Sequence, residues 1–97
     1  MLISPSEIVY IEATDGKCKI KTKDTDYVLI ETLAGLEKKL ANNHFLRVHR
    51  SYIVNIQRIL EIEPWFNSTY NLLLDDGSKI PVSRTYIKDL KRIFGLN

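Results

Sequence analysis

Lys17 to Lys23 reads Lys-Cys-Lys-Ile-Lys-Thr-Lys, a strict alternation along the chain. A period of two predicts a β-strand with lysines on one face and Cys18, Ile20 and Thr22 on the other. Before it, Ser4-Pro5-Ser6 predicts a turn, and Ile8–Ile11 is an apolar run short enough for a buried strand. Glu12 to Gly16 is expected to break that strand, with Asp15-Gly16 as the tight turn. After a turn at Asp24-Thr25-Asp26, Tyr27–Ile30 supplies a third strand. The first third of the chain therefore reads as an antiparallel meander.

The period then changes. Leu33, Leu36 and Leu40 recur at helical spacing behind Thr32, a suitable N-cap. Gly35 keeps that helix short, and Ala41-Asn42-Asn43 is expected to end it. Phe45–Val48 and Tyr52–Val54 are two strand-forming pieces around a polar centre, His49-Arg50-Ser51, with Arg47 just before it. Ile56 to Glu63 alternates partly and is expected to end at Pro64, leaving Trp65 to Ser68 as a loop. Thr69–Leu74, a turn at Asp75–Ser78 and Lys79–Val82 form the plainest hairpin. Ser83 precedes a last helix whose Tyr86, Ile87, Leu90, Ile93 and Phe94 share an apolar face. Lys88, Lys91 and Arg92 make its basic outer face, and Gly95 closes it. The fold class expected is mainly β (α+β), antiparallel, with two short helices.

Composition bounds this picture without changing it. At 97 residues the chain is expected to be one domain, 1–97, and long enough for a modest core. Its 44% hydrophobic and 27% charged residues are ordinary for a folded soluble protein. One cysteine, Cys18, permits no internal disulfide and no zinc cluster, which suits a cytoplasmic setting. No apolar run approaches the roughly 20 residues of a membrane span. Residues 1–7 lack the basic and apolar pattern of a signal peptide. A net charge of +2 is low for a non-specific nucleic-acid binder, so the placement of the cations matters more than their sum.

Enzyme chemistry finds little support. His44 and His49 are the only histidines, the serines lack an elbow motif, and no glycine-rich phosphate loop or metal-ligand spacing occurs. No cofactor is called for. Lysines along an edge strand discourage aggregation, which suits Lys21 and Lys23. Lys17 and Lys19 adjoin the Asp15-Gly16 turn, where phosphate contact is more plausible. Arg47 and Arg50 face opposite ways along an extended chain. The plain alternative for either is a surface ion pair with Glu61 or Glu63. His49 and Asn55 read more naturally as hydrogen-bonded structural residues. Arg84 opens a helix, where outward N–H groups favour anions and a cation is mildly misplaced. That misfit points to a binding role. No pair of consecutive amphipathic helices could form a helix-turn-helix, so any DNA reading falls to loops or strands.

These residues resemble the LytTR family of DNA-binding domains. The resemblance is carried by Glu7–Ala13, Leu33–Leu40, Phe45–Asn55, Asp76-Gly77 and Ile80–Tyr86, in order over nearly the whole chain. It implies an elongated fold of antiparallel sheets, and loops inserted into two successive major grooves and the minor groove between. By position, Asp15–Lys19 is the first reading loop, Arg50 the centre of the second and Arg84 that of the third. Arg84 and one of Lys17 or Lys19 are expected to read bases in major grooves and Arg50 to enter the minor groove. Arg47, Ser51 and Lys88 are expected to position phosphates, with His49 beside them. Double-stranded DNA carrying paired direct repeats is the implied partner, bound by two copies. The implied context is a bacterial response regulator acting in transcription, with a receiver domain or sensor kinase upstream. Only seven residues precede the segment matching the family's second strand, so a missing first strand or an excised domain is expected. The competing function is a protein-interaction or dimerisation module using the β-edges, Trp65, Phe66 and Tyr70. Lys17, Arg50 and Arg84 on one surface favour DNA; scattered cations with an exposed Trp65–Phe66 patch favour the module.

Overall fold

A computed structural model describes residues 3–41 and 44–96. Eight strands and two helices follow in the order β1 (Ile8–Thr14), β2 (Lys17–Thr22), β3 (Asp26–Leu29), α1 (Leu33–Lys39), β4 (Phe45–His49), β5 (Tyr52–Asn55), β6 (Ile59–Trp65), β7 (Thr69–Leu74), β8 (Lys79–Val82) and α2 (Arg84–Phe94). The strands form an antiparallel five-stranded sheet, ordered β3-β2-β1-β5-β4, and an antiparallel three-stranded sheet, β6-β7-β8. The molecule is elongated, 40 × 24 × 23 Å.

The larger sheet is covered by α1 on one face and, over β1, β5 and β4, by the smaller sheet and α2 on the other, which makes three layers. On one face Ile8, Ile11, Cys18, Ile20 and Ile53 meet Leu33, Leu36 and Leu40 around α1. On the other, Val9, Leu46, Val48 and Val54 meet Leu72, Leu74, Ile80 and Val82 of the smaller sheet and Leu90 of α2. Adjacent residues therefore serve opposite cores: Ile53 faces one and Val54 the other, as the pleat requires. Among the described residues Thr22 and Asn55 are the buried polar ones, and Asn55 sits deeper. Its Nδ2 donates to the Ile8 carbonyl at 2.8 Å, and its Oδ1 accepts from the Gln57 N–H. The Cys18 thiol is buried and donates to the Glu31 carbonyl at 3.2 Å. Burial first, then the Glu31 charge, pushes its pKa up, which suits a packing residue.

The β1–β2–β3 meander and the β7–β8 hairpin form where the alternation places them. Several details differ. Glu12 to Thr14 extend β1 instead of breaking it, because each finds a partner on β2: Lys19, Cys18 and Lys17 in turn. Asp15 and Gly16, both at positive φ (46° and 75°), suffice as the two-residue turn. The lysine-bearing β2 is an interior strand, so its lysines line a solvent face and do not guard an edge. Pro64 lies within β6, which continues to Trp65; β6 is an edge strand, where a missing N–H is tolerated. Thr32 caps α1 by accepting from the Gly35 N–H, whereas the expected stop at Asn42 and Asn43 lies outside the described residues. In α2, Leu90 is fully buried and Gly95 ends the helix at positive φ, but Ile93 remains 44% exposed at the margin of the apolar stripe.

Candidate nucleic-acid interface

Three chain reversals meet at one end of the larger sheet. The β1–β2 turn is the first. Antiparallel pairing sets Glu12 opposite Tyr52, so the end of β1 arrives beside the start of β5. Beyond the ladder, the Ala13 N–H donates to the Ser51 carbonyl at 2.8 Å. Lys17, paired with Thr14, thus lies at the same end as the β4–β5 turn at Arg50 and Ser51. The start of α2 is the third. The Ser83 N–H donates to the Val48 carbonyl at 2.9 Å, which seats Arg84 against the end of β4. A continuous hydrogen-bonded path therefore links the loops bearing Lys17, Arg50 and Arg84.

Lys17, Arg50, Arg84 and Lys88 are exposed and make no ion pair among the described residues. Lys19 is more committed: its Nζ lies 3.8 Å from Asp26, which Lys21 also approaches at 3.5 Å. Such exposed pairs contribute little and are easily exchanged for a phosphate. Lys88 follows Arg84 by one helical turn on the same side of α2.

Arg47 explains how the Arg50 turn is held. Its Nε donates to the His49 carbonyl at 2.9 Å and its Nη2 to the Arg50 carbonyl at 2.8 Å. Its Nη1 pairs with Glu37 of α1 at 3.0 Å, and its guanidinium carbon sits 5.9 Å from the Tyr86 ring centre. Only 17% of the side chain is exposed. The partner is thus Glu37, not the Glu61 or Glu63 expected from sequence. Glu63 instead pairs with Lys79. The planar fork lets one side chain clamp the turn, α1 and α2 together.

His49 completes the clamp. Its Nδ1 accepts from the Ser51 N–H at 3.0 Å, and its ring meets Tyr52 edge-on at 5.4 Å between centroids. The bond requires an unprotonated Nδ1. Burial first, then the Arg50 and Arg47 charges, lowers the imidazole pKa. A depressed histidine pKa contributes stability above its ordinary pKa and loses it as pH falls through the folded value. Wild-type stability should therefore fall on acidification from about pH 7 toward about pH 5. His49→Asn should lack that step; urea denaturation across this range checks it.

Arg84 also carries a contact that its sequence position did not reveal. Its Nη2 donates to the Asn67 carbonyl at 3.1 Å, in the short turn between β6 and β7. Trp65, the last residue of β6, and Phe66, the first of that turn, are 50% and 74% exposed and form an edge-to-face pair. Tyr70, grouped with them in the sequence reading, packs instead against the core beneath Lys91. The three cations thus share one rim, and the aromatic pair borders it. A cavity of about 370 Å³, lined by Val9, Lys23, Arg58, Asp75 and Asp76, lies at the opposite end, by the β7–β8 turn.

Comparison with known proteins identifies the family. The model of the LytTr DNA-binding domain family matches residues 1–95. The sensory transduction protein LytT of Bacillus subtilis is 52% identical over 93 residues, covering 96% of this chain and 39% of that protein. The transcriptional regulatory protein LytR of Staphylococcus aureus is 38% identical over 95 residues, again covering 39% of its length. The chain thus spans about two fifths of these curated relatives. A solved LytTr DNA-binding domain from Bacillus cereus superimposes with a TM-score of 0.89 at 32% identity, over 96% of this chain and 85% of the other.

Proposed function

The chain belongs to the LytTR family of DNA-binding domains, and from that premise we propose that the rim bearing Lys17, Arg50 and Arg84 is its reading surface. The observation that carries the proposal is the hydrogen-bonded path from the Ala13–Ser51 bond through Val48 and Ser83 to Arg84. It places three exposed cations from distant parts of the sequence on one edge. Arginine's fork matches guanine edges and phosphates, so Arg84, with Lys17 or Lys19, reads bases in major grooves. Arg50, at a narrow two-residue turn, enters the minor groove between. Lys88 and Ser51 contact phosphates, as do the N–H groups of Arg47 left over from its clamp. His49 keeps the Arg50 turn in shape.

The chain is then the output domain of a bacterial response regulator acting on transcription in the cytoplasm. A receiver domain precedes this one and a sensor kinase acts upstream. Two copies bind paired direct repeats. Among the described residues no helix is long and apolar enough to cross a membrane. The family is one of DNA-binding regulators and not of enzymes.

Contacts to phosphate release counterions, so affinity should fall with salt. With three to five cations engaged, log K should fall with log[salt] at a slope of about −3 to −4.5, at roughly 0.9 per phosphate. Titrating a labelled duplex at several salt concentrations measures this. A flat response would count against the rim as a DNA surface.

A further inference from the structure

We infer that the Trp65–Phe66 tip is a fourth DNA-contacting element, an apolar wedge against the groove flanking the one that Arg84 enters. This rests on the reading of Arg84 as a DNA-facing residue and extends it.

The tip is built and held, not left loose. Asn67 and Ser68 both take positive φ (55° and 61°), and Thr69 Oγ1 donates to the Phe66 carbonyl at 2.6 Å. Arg84 adds the bond to the Asn67 carbonyl. The tip therefore moves with the reading arginine. Residues 65–69 carry no charge, and Glu63, the nearest acid on β6, is paired with Lys79 at 3.5 Å. Nothing acidic in the tip opposes the approach of a polyanion. Two adjacent, exposed aromatic rings are costly to hydrate, and among the described residues their only aromatic partner is each other. Other exposed apolar side chains have different surroundings: Ile30 precedes Glu31, and Leu60 precedes Glu61. Among the described residues, the aromatic tip is the exposed apolar patch hydrogen-bonded to an exposed arginine. Apolar side chains placed beside phosphate-binding cations suit sugar and base-edge contact, and can wedge into a step of the duplex.

Trp65 is the chain's one tryptophan, so its emission reports on the tip alone. The protein is titrated with a duplex recovered from random DNA by binding, carrying one copy of the recovered half-site. Binding is followed by anisotropy of the labelled duplex, and the tip by Trp65 emission and its access to acrylamide. Emission should be quenched and shielded in step with anisotropy, at one copy per duplex. Phe66→Ala should weaken binding by about fivefold or more. A rise in anisotropy with Trp65 emission and access unchanged would overturn the wedge while leaving DNA binding intact. Shielding that appears only when a second copy joins a duplex with two half-sites would overturn it too, and would assign the tip to contact between protein copies. No rise in anisotropy would remove the DNA reading itself, and the wedge with it.

Discussion

Arg84→Ala is expected to weaken binding to a cognate duplex by about 1–3 kcal/mol and to relax sequence preference where Arg84 reads. The side chain is exposed at the first residue of α2, and its only hydrogen bond among the described residues is to the Asn67 carbonyl. Removing it empties no core, so the fold should survive. A bidentate arginine–guanine contact has no substitute in a lysine, so Arg84→Lys should keep part of the affinity and little of the preference. Anisotropy titrations on matched and mismatched duplexes separate the two effects. Unchanged affinity and preference in Arg84→Ala would remove Arg84 from the reading set.

Arg47→Ala should act by another route. Its guanidinium holds the His49 and Arg50 carbonyls and Glu37, and lies against Tyr86. Charge-assisted hydrogen bonds of this kind contribute roughly 1.5–3 kcal/mol each where shielded from water. Because the side chain is only partly shielded, a total loss of about 2–3 kcal/mol of stability is expected. Arg47→Lys should not restore it, since a single ammonium cannot span two carbonyls and a carboxylate in one plane. Urea denaturation gives the stability, and the salt slope of binding gives the phosphate contribution. A slope reduced by about one phosphate with stability unchanged would mean that Arg47 serves DNA alone.

Much of this was legible from the chain because it is written locally. The alternation of Lys17 to Lys23, the Asp15-Gly16 turn and the spacing of Leu33, Leu36 and Leu40 each specify an element within a few residues. The arginine-bearing runs identified the family. What sequence could not show is long-range. Nothing near Tyr10 announces that it pairs with Val54, yet that register brings the first loop to the second. The Glu37 partner of Arg47 is ten residues away on another element. The link from Arg84 to Asn67 depends on positive φ at a residue with no glycine to signal it. Pro64 suggested a strand end because its tolerance depends on β6 being an edge, which only the assembled sheet reveals. His49 and Asn55 fit the structural readings that residue type suggested, one as an acceptor for a turn N–H and the other as a buried tie between β1 and the segment after β5.

Loops on one rim should read a specific duplex. Selection of bound sequences from a random double-stranded DNA pool tests it most directly. Enrichment of a direct repeat whose two copies are spaced for binding on one face of the helix is expected, with loss of the preferred bases when Arg84→Ala is used. A pool that stays unenriched, with the folded wild-type protein retaining all duplexes equally or none, would contradict it.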